Sequence, residues 1–356
     1  MASENRTPIR RFLGLDFLRG WAALAVIAFH VKHGPSAIFG SNYLWVDFFF
    51  LLSGFVLYPR LSTSVSSATF LKARFLRLFP IALVALSFSL FLETVSFIEE
   101  KISHHAGLTP AFGATRPLWS IFFAMALAQI IVPVSTYWVG ALWSLSAEWW
   151  ANILAATLKV ANSTGRAYLM LALGLIAAMY NFTSHVDRGA LFGISLLGRA
   201  LVGFTIGMLL RKSFERQPRQ ENSHLPIALF VIVPLLIWTA WRYSPTLGWF
   251  AAELLFPVLI WYFATLRNPN SKSLSEKIST NLGRLSFGIY AYQQAVYELL
   301  TLVLRKTGNE ITWEWTIVVL VLGSVSLSFL SNRFVEPRLA PLFAKLVRVK
   351  TGPDTL

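Results

Sequence analysis

The chain has 356 residues, of which 55% are hydrophobic, 15% aromatic and 13% charged. Soluble domains average about 25% charged residues, so one apolar core under a wet surface is excluded. A mean hydropathy of +0.58 points instead to many apolar segments. With ~20 residues per bilayer crossing, roughly 200 apolar residues suit about ten crossings. The net charge of +14 then reads as lysine and arginine gathered on cytoplasmic loops near anionic lipid, not as a nucleic-acid surface. The absence of cysteine excludes disulfides, Cys-ligated zinc or iron–sulfur sites and a thiol nucleophile. Six histidines without HExxH spacing give no expectation of a metal centre.

Apolar runs fall near 15–33, 42–58, 78–96, 118–134, 138–158, 167–183, 189–210, 226–243, 247–266, 285–304 and 314–332. The first is too long for a cleavable leader and carries Arg19 and His30, so no such leader is expected. Basic connections lie at 1–14, 59–77, 159–166, 211–225, 267–284 and 333–356, and together hold 22 of the 31 Lys and Arg residues. If all are cytoplasmic, the run at 118–134 cannot be a full crossing, because 78–96 ends outside and 138–158 must begin there. Flanked by Arg116-Pro117 and closed by Pro133, it is predicted to be a re-entrant or interfacial helix. The expected fold is an all-α polytopic membrane protein with about ten transmembrane helices and both termini cytoplasmic. It has a single membrane-embedded domain over 1–340 and a basic tail over 341–356. Eleven crossings with one end outside is the alternative.

Ionisable residues inside spans are functional candidates. Arg19 and His30 are eleven residues apart, which places them within ~20° on one helix face and ~16 Å apart along the axis. A snorkelling arginine and a hydrogen-bonded histidine would be the ordinary alternative. Asp47 starts the second span at a depth matching His30, where it could orient the imidazole as a base or simply cap its own helix. Ser53-Gly54 suits close helix approach, and Ser53 could offer a hydroxyl. Lys72, Arg74 and Arg77 flank the third span. The i, i+3 arginines can clamp a phosphate or serve as positive-inside anchors. Trp143, Ser144 and Glu148 open the fifth span. Glu148 and Arg199, both near the midplane, either neutralise each other or place Glu148 beside the reacting groups. Trp143 is either a packing residue or an aromatic wall for a sugar ring.

Taken in order, these pieces resemble the membrane acyltransferase type 3 family. The matching features are the R-x10-H pair of Arg19 and His30, the FF-x-L-SGF stretch at 48–55, the R-x-x-R pair of Arg74 and Arg77, and Trp143-Ser144-Leu145 leading to Glu148. Leu282 to Tyr290, containing Ser286, and Val335-Glu336-Pro337 complete the set. The resemblance spans ~10 to 340. It departs where relatives often carry histidine two or three residues after the late tyrosine and this chain has Tyr292-Gln293-Gln294. Nor does an esterase-like domain follow, as in some relatives, so a second handling step is expected to need another protein.

The resemblance implies transfer of an acyl group, usually acetyl, from cytoplasmic acyl-coenzyme A to a hydroxyl of a glycan or glycolipid acceptor in the bacterial inner membrane, without a metal. Arg74, Arg77, Lys72 and Arg19 would hold the coenzyme. His30 would act as general base with Asp47 or Glu148 orienting it, and an arginine or backbone donor would steady the oxyanion. Ser53, Trp143, Ser144, Ser286 and Tyr290 are candidate substrate contacts. A two-step route through an acylated His30 or serine stays open. The competing class is a transporter or flippase, in which Arg19, His30, Glu148 and Arg199 line a path open alternately to both sides.

Overall fold

Runs of Leu, Ala, Phe and Ile uninterrupted by turn residues form helices because lipid offers no partner for a free peptide group, so each segment must satisfy its own. The computed structural model describes residues 11–31, 36–63, 65–103, 111–113, 116–131, 138–183, 192–217, 225–266 and 274–347. Pro133, part of the C-terminal tail and several basic residues of the connections counted above (Arg6, Arg10, Arg219, Arg267, Lys272, Arg348 and Lys350) lie outside these ranges. The helices are α1 (Leu13–Phe29), α2 (Ser36–Phe39), α3 (Trp45–Ser62), α4 (Ser67–Ser103), α5 (Ile121–Met125), α6 (Leu142–Thr157) and α7 (Thr164–Thr183). They continue with α8 (Phe192–Phe214), α9 (Leu225–Tyr243), α10 (Pro245–Thr265), α11 (Leu274–Thr307), α12 (Trp313–Leu330) and α13 (Glu336–Leu346).

Among the described residues there is no strand, and ten helices have sixteen residues or more. Five helical stretches are long and apolar enough to cross a membrane by length and composition. The 118–131 stretch is a 3-10 turn at Leu118–Ser120, the five-residue α5, and a turn at Leu127 with a positive φ of 49°. Five helical residues rise ~7.5 Å, far short of a ~30 Å hydrocarbon layer. The Leu127 carbonyl is capped from α6 by the Ser146 hydroxyl at 2.6 Å and the Trp150 indole at 2.9 Å.

Two seams set the bundle. Helix α1 lies against α11 because Gly20 faces the Leu282 side chain while Gly283 faces Asp16, each too close for a Cβ. Helix α3 lies against α8 through a reciprocal pair: a Cβ on Gly54 would land on the Phe204 carbonyl, and one on Gly207 on the Leu51 carbonyl. Such small-residue contacts let helix backbones meet where lipid removes most of the hydrophobic drive to associate. Leu18, Ala22 and Ile27 of α1 and Phe48, Leu51 and Phe55 of α3 are fully buried as a result.

The α3–α8 seam also buries a charge pair. Arg199 Nε donates to Asp47 Oδ1 at 3.1 Å and Nη2 to Oδ2 at 2.6 Å. Trp249 of α10 donates to Oδ1 at 3.3 Å, and the guanidinium stacks over Tyr43 and Trp143 at 5.4 and 5.6 Å. Asp47 has 0% exposure.

Two predictions follow from these seams. Gly54→Ala and Gly207→Ala should each cost ~1–3 kcal/mol by overpacking against backbone and lower the thermal midpoint in detergent. Gly140→Ala, whose methyl would meet only the Gln294 side chain at 3.5 Å, should leave the midpoint unchanged. Asp47→Asn strands a buried guanidinium and should cost ~3–5 kcal/mol, whereas Asp47→Leu combined with Arg199→Met should recover most of that loss. The same melting measurement checks both, and equal midpoints for the single and double variants would contradict the second.

Candidate active site

Helices α1, α3, α4, α6 and α11 enclose a cavity of about 490 Å³. Their directions order its lining. Going inward, Arg11 just before α1 is followed by Arg19 of α1, while α3 runs back from Arg60 through Ser53 to Phe49. Helix α4 supplies Arg74 and Arg77, α6 supplies Glu148 and then Ser144, and α11 supplies Ser286, Phe287 and Tyr290. One end is therefore basic and the other aromatic and hydroxylic. With Arg211, six arginines face the cavity against two carboxylates, Asp16 and Glu148.

The arginines differ in what already holds them. Arg74 is buried and forms an ion pair with Glu148, which also accepts the Ser53 hydroxyl at 2.7 Å. Arg11 Nε donates to Asp16 at 2.7 Å, and Arg19 stands 3.9 Å from the same carboxylate. Arg211 pairs with Glu215 at 2.8 Å and stacks over Phe12 and Phe55 at 5.2 Å each. Arg60 and Arg77 make no ion pair among the described residues and are exposed. The field of Arg77 reaches Arg19 and also Glu336, just past α12.

At the far end the Tyr290 hydroxyl meets Ser144 Oγ at 2.7 Å, and Ser144 in turn donates to the Ala141 carbonyl at 3.0 Å. Phe49 packs on the Tyr290 ring with centroids 5.7 Å apart. Ser286 lines the wall but donates within its own helix, to Gly283 at 2.9 Å.

His30 is not among the lining residues. It caps the C-terminus of α1, and its Nδ1 donates to the Val26 carbonyl at 3.0 Å, which leaves Nε2 as the free basic nitrogen. Asp47 was expected to orient it, but the Asp47 carboxylate is taken by Arg199 and Trp249. Nor does Arg199 neutralise Glu148, whose partners are Arg74 and Ser53. Lys72 does not line the cavity, and Trp143 packs on Arg199 and Phe50 rather than facing it.

Sequence reasoning passed over Asp16, Arg11, Arg60 and Arg211, all of which line the cavity. It also passed over Glu253, buried on α10 close enough to Asp47 and Arg199 to interact with both. Glu253 was visible as an ionisable residue inside the 247–266 run. The arginines carried no signal beyond the positive-inside pattern.

Comparison with known proteins adds a family. The chain is 26% identical over 352 residues to peptidoglycan O-acetyltransferase OatA of Listeria monocytogenes, covering 90% of this chain and 54% of that protein. It is 25% identical over 364 residues to putative peptidoglycan O-acetyltransferase YrhL of Bacillus subtilis, covering 93% of this chain and 55% of the relative. It thus spans about half the length of these two relatives. Protein 2 in picA locus of Rhizobium radiobacter is 29% identical over 184 residues, 49% of this chain and 96% of that protein. No solved structure matches. The profile of an acyltransferase domain matches residues 12–333, nearly all the helices described above. The chain is a multi-pass membrane protein belonging to the acyltransferase type 3 family.

Proposed function

We propose that this protein transfers an acyl group, most simply acetyl, from cytoplasmic acyl-coenzyme A to a hydroxyl of a sugar-containing acceptor, with His30 as general base. The observation that carries the reading is the cavity: six arginines against two carboxylates in its lining, with Phe49, Phe287, Tyr290 and hydroxyl groups in the same wall. A donor with a pyrophosphate, a further phosphate and a long neutral arm has that charge distribution. Its volume of about 490 Å³ suits a small-molecule site. The glycan class of the acceptor is supported by the peptidoglycan O-acetyltransferases among the relatives.

We read the ten long helices as ten crossings with both termini in the cytoplasm of a bacterium, whose inner membrane holds the single domain. The clustering of basic residues on alternate connections supports this orientation. The cavity's basic end then opens to the cytoplasm, where the coenzyme is found. A transporter would want Arg19, His30, Glu148 and Arg199 along one path, but only Arg19 and Glu148 line the cavity.

In this reading Arg77 and Arg60, which make no ion pair among the described residues, bind phosphate, and Arg19 holds the donor further in. Arg19 lies ~16 Å from His30 along α1, too far to touch the same carbonyl, so it belongs with donor binding and not with the oxyanion. Arg74 and Glu148 shape the wall, and Asp47 anchors Arg199. Ser144 and Tyr290 meet the acyl end. His30, its Nδ1–H held by Val26, accepts the hydroxyl proton at Nε2 as the oxygen attacks the thioester carbonyl. The carbon–sulfur bond then breaks, and the coenzyme thiolate takes the proton from Nε2.

Purified protein given labelled acetyl-coenzyme A tests the assignment. His30→Ala should lower transfer by ~10²–10⁴-fold while coenzyme binding persists. Arg77→Ala should raise the acetyl-coenzyme A concentration needed for half-maximal rate about tenfold or more, with the saturated rate kept. Absence of binding or turnover at millimolar acetyl-coenzyme A would overturn the donor. Equal activity of both variants would overturn the division of roles.

A further inference from the structure

A second cavity, of about 420 Å³, lies between α9, α10 and the 3-10 turn Gly40–Leu44 that joins α2 to α3. Val231, Leu235 and Trp238 line it from α9. Spaced at four and three residues, they share one helix face and extend ~10 Å along it. Phe256 of α10 and Trp45 of α3 also line it, their rings 4.9 Å apart. Val231 and Leu235 are 63% and 56% exposed, so the cavity opens sideways, along the flank of a helix read above as a crossing. In a bilayer that opening faces hydrocarbon, and the occupant that an apolar trough takes from there is a lipid chain.

The trough is not apolar throughout. Ser41 and Asn42 line it from the 3-10 turn, and Ser41 is only 7% exposed. Neither side chain makes a hydrogen bond among the described residues. A buried hydroxyl without a partner costs ~1–3 kcal/mol, so this part of the trough suits a ligand that brings hydrogen-bonding groups of its own. No charged residue lines the trough. A phosphate would lose its hydration there with no cation to replace it. A sugar ring, by contrast, matches a hydroxyl, a carboxamide and the broad indole of Trp238.

Resting on the reading of this chain as an acyltransferase with a sugar-containing acceptor, we propose that the trough holds the anchor of a neutral glycolipid acceptor. The lipid chain lies along Val231, Leu235 and Phe256, and the first sugar sits at Ser41, Asn42 and Trp238. The same 3-10 turn packs on the end of α1: the Tyr43 ring is 5.5 Å from that of Phe29, which precedes His30. Arg11 and Arg19, toward the other end of α1, line the first cavity. Donor and acceptor therefore approach α1 from its two ends, and a glycan anchored at the turn stands at the end that carries His30.

The test uses the full chain in phosphatidylcholine nanodiscs and two lipids that share one diazirine-bearing acyl chain: a monoglucosyl diacylglycerol and a phosphatidylglycerol. Photolabelled peptides should include the 231–238 stretch of α9. The glucosyl lipid should label it about tenfold more than phosphatidylglycerol, the preference that two neutral hydrogen bonds give. Ser41→Ala combined with Asn42→Leu should remove that preference. Leu235→Trp fills the trough from an exposed position, so its thermal midpoint should hold. It should lower both the labelling and acetyl transfer to the glucosyl lipid about tenfold, the loss of one side chain's worth of apolar burial. The acetyl-coenzyme A requirement should stay within about twofold of wild type in this variant. Equal labelling of the wild-type trough by the two lipids makes it a seat for bulk lipid and overturns the proposal, as does labelling unchanged by Leu235→Trp. Preferential labelling by the glucosyl lipid, with no form of the protein turning over acetyl-coenzyme A, upholds the site and overturns the donor reading instead.

Discussion

A carboxylate or guanidinium taken out of water loses several kcal/mol of hydration, and inside a helix bundle only an opposite charge at contact distance restores it. That constraint organises this protein. Asp47 and Arg199 lie 152 residues apart in the chain and meet across the α3–α8 seam. Arg74 and Glu148 do the same across α4 and α6, and Arg116 bridges Glu93 of α4 to Glu298 of α11, bonding the former at 2.8 Å. Each pair joins helices that the chain does not place next to one another, so each is a registration mark as well as an electrostatic one. The reciprocal glycines at positions 54 and 207 bring the backbones near enough for the first pair to close with two hydrogen bonds.

The same pairing rule shapes the cavity by deciding which cations are left over. Glu148 takes Arg74 and Ser53, and Asp16 takes Arg11 with Arg19 nearby. Arg77 and Arg60 then face the cavity without a carboxylate of their own. A site with every arginine matched would have little affinity for phosphate, and one with none matched would repel itself apart. The surplus of positive charge lies toward the end where α1 begins and α3 finishes, the end given to the cytoplasm in the proposed orientation.

Much of this was legible in the sequence, with one consistent gap. Apolar runs located the long helices, and the charge parity that denied a crossing to 118–134 agrees with the short broken helix found there. Spacing put Arg19 within α1 and His30 at its C-cap, and Asp47 and Glu148 within α3 and α6. Pairing was not legible, because depth says how far into the membrane a residue sits and nothing about which helix stands beside it. Asp47 was therefore matched with His30, its neighbour in sequence, although its partner comes from α8. Likewise Arg60 and Arg211 read only as topology-setting charges, since a guanidinium facing a cavity and one facing a headgroup have the same sequence signature.

The distance left between cavity and histidine carries its own logic. The lining ends at Phe49, Ser144 and Tyr290, while His30, at the C-terminal end of α1, is not part of it. Tyr290 is held shut by a relay in which its hydroxyl meets Ser144 and Ser144 is spent on the Ala141 carbonyl. In the proposed reaction a thioester entering from the basic end would meet Phe49, Ser144 and Tyr290 at the end of the lining. In that reaction those residues keep the activated acyl group away from water until an acceptor hydroxyl reaches His30. The hydrogen bond from Tyr290 to Ser144 is neutral and local, so rotating the ring aside exchanges one such contact for another and leaves the buried ion pairs intact. Charge pairs fix the frame, and Tyr290, at the end of the cavity lining, is held by the weaker kind of bond.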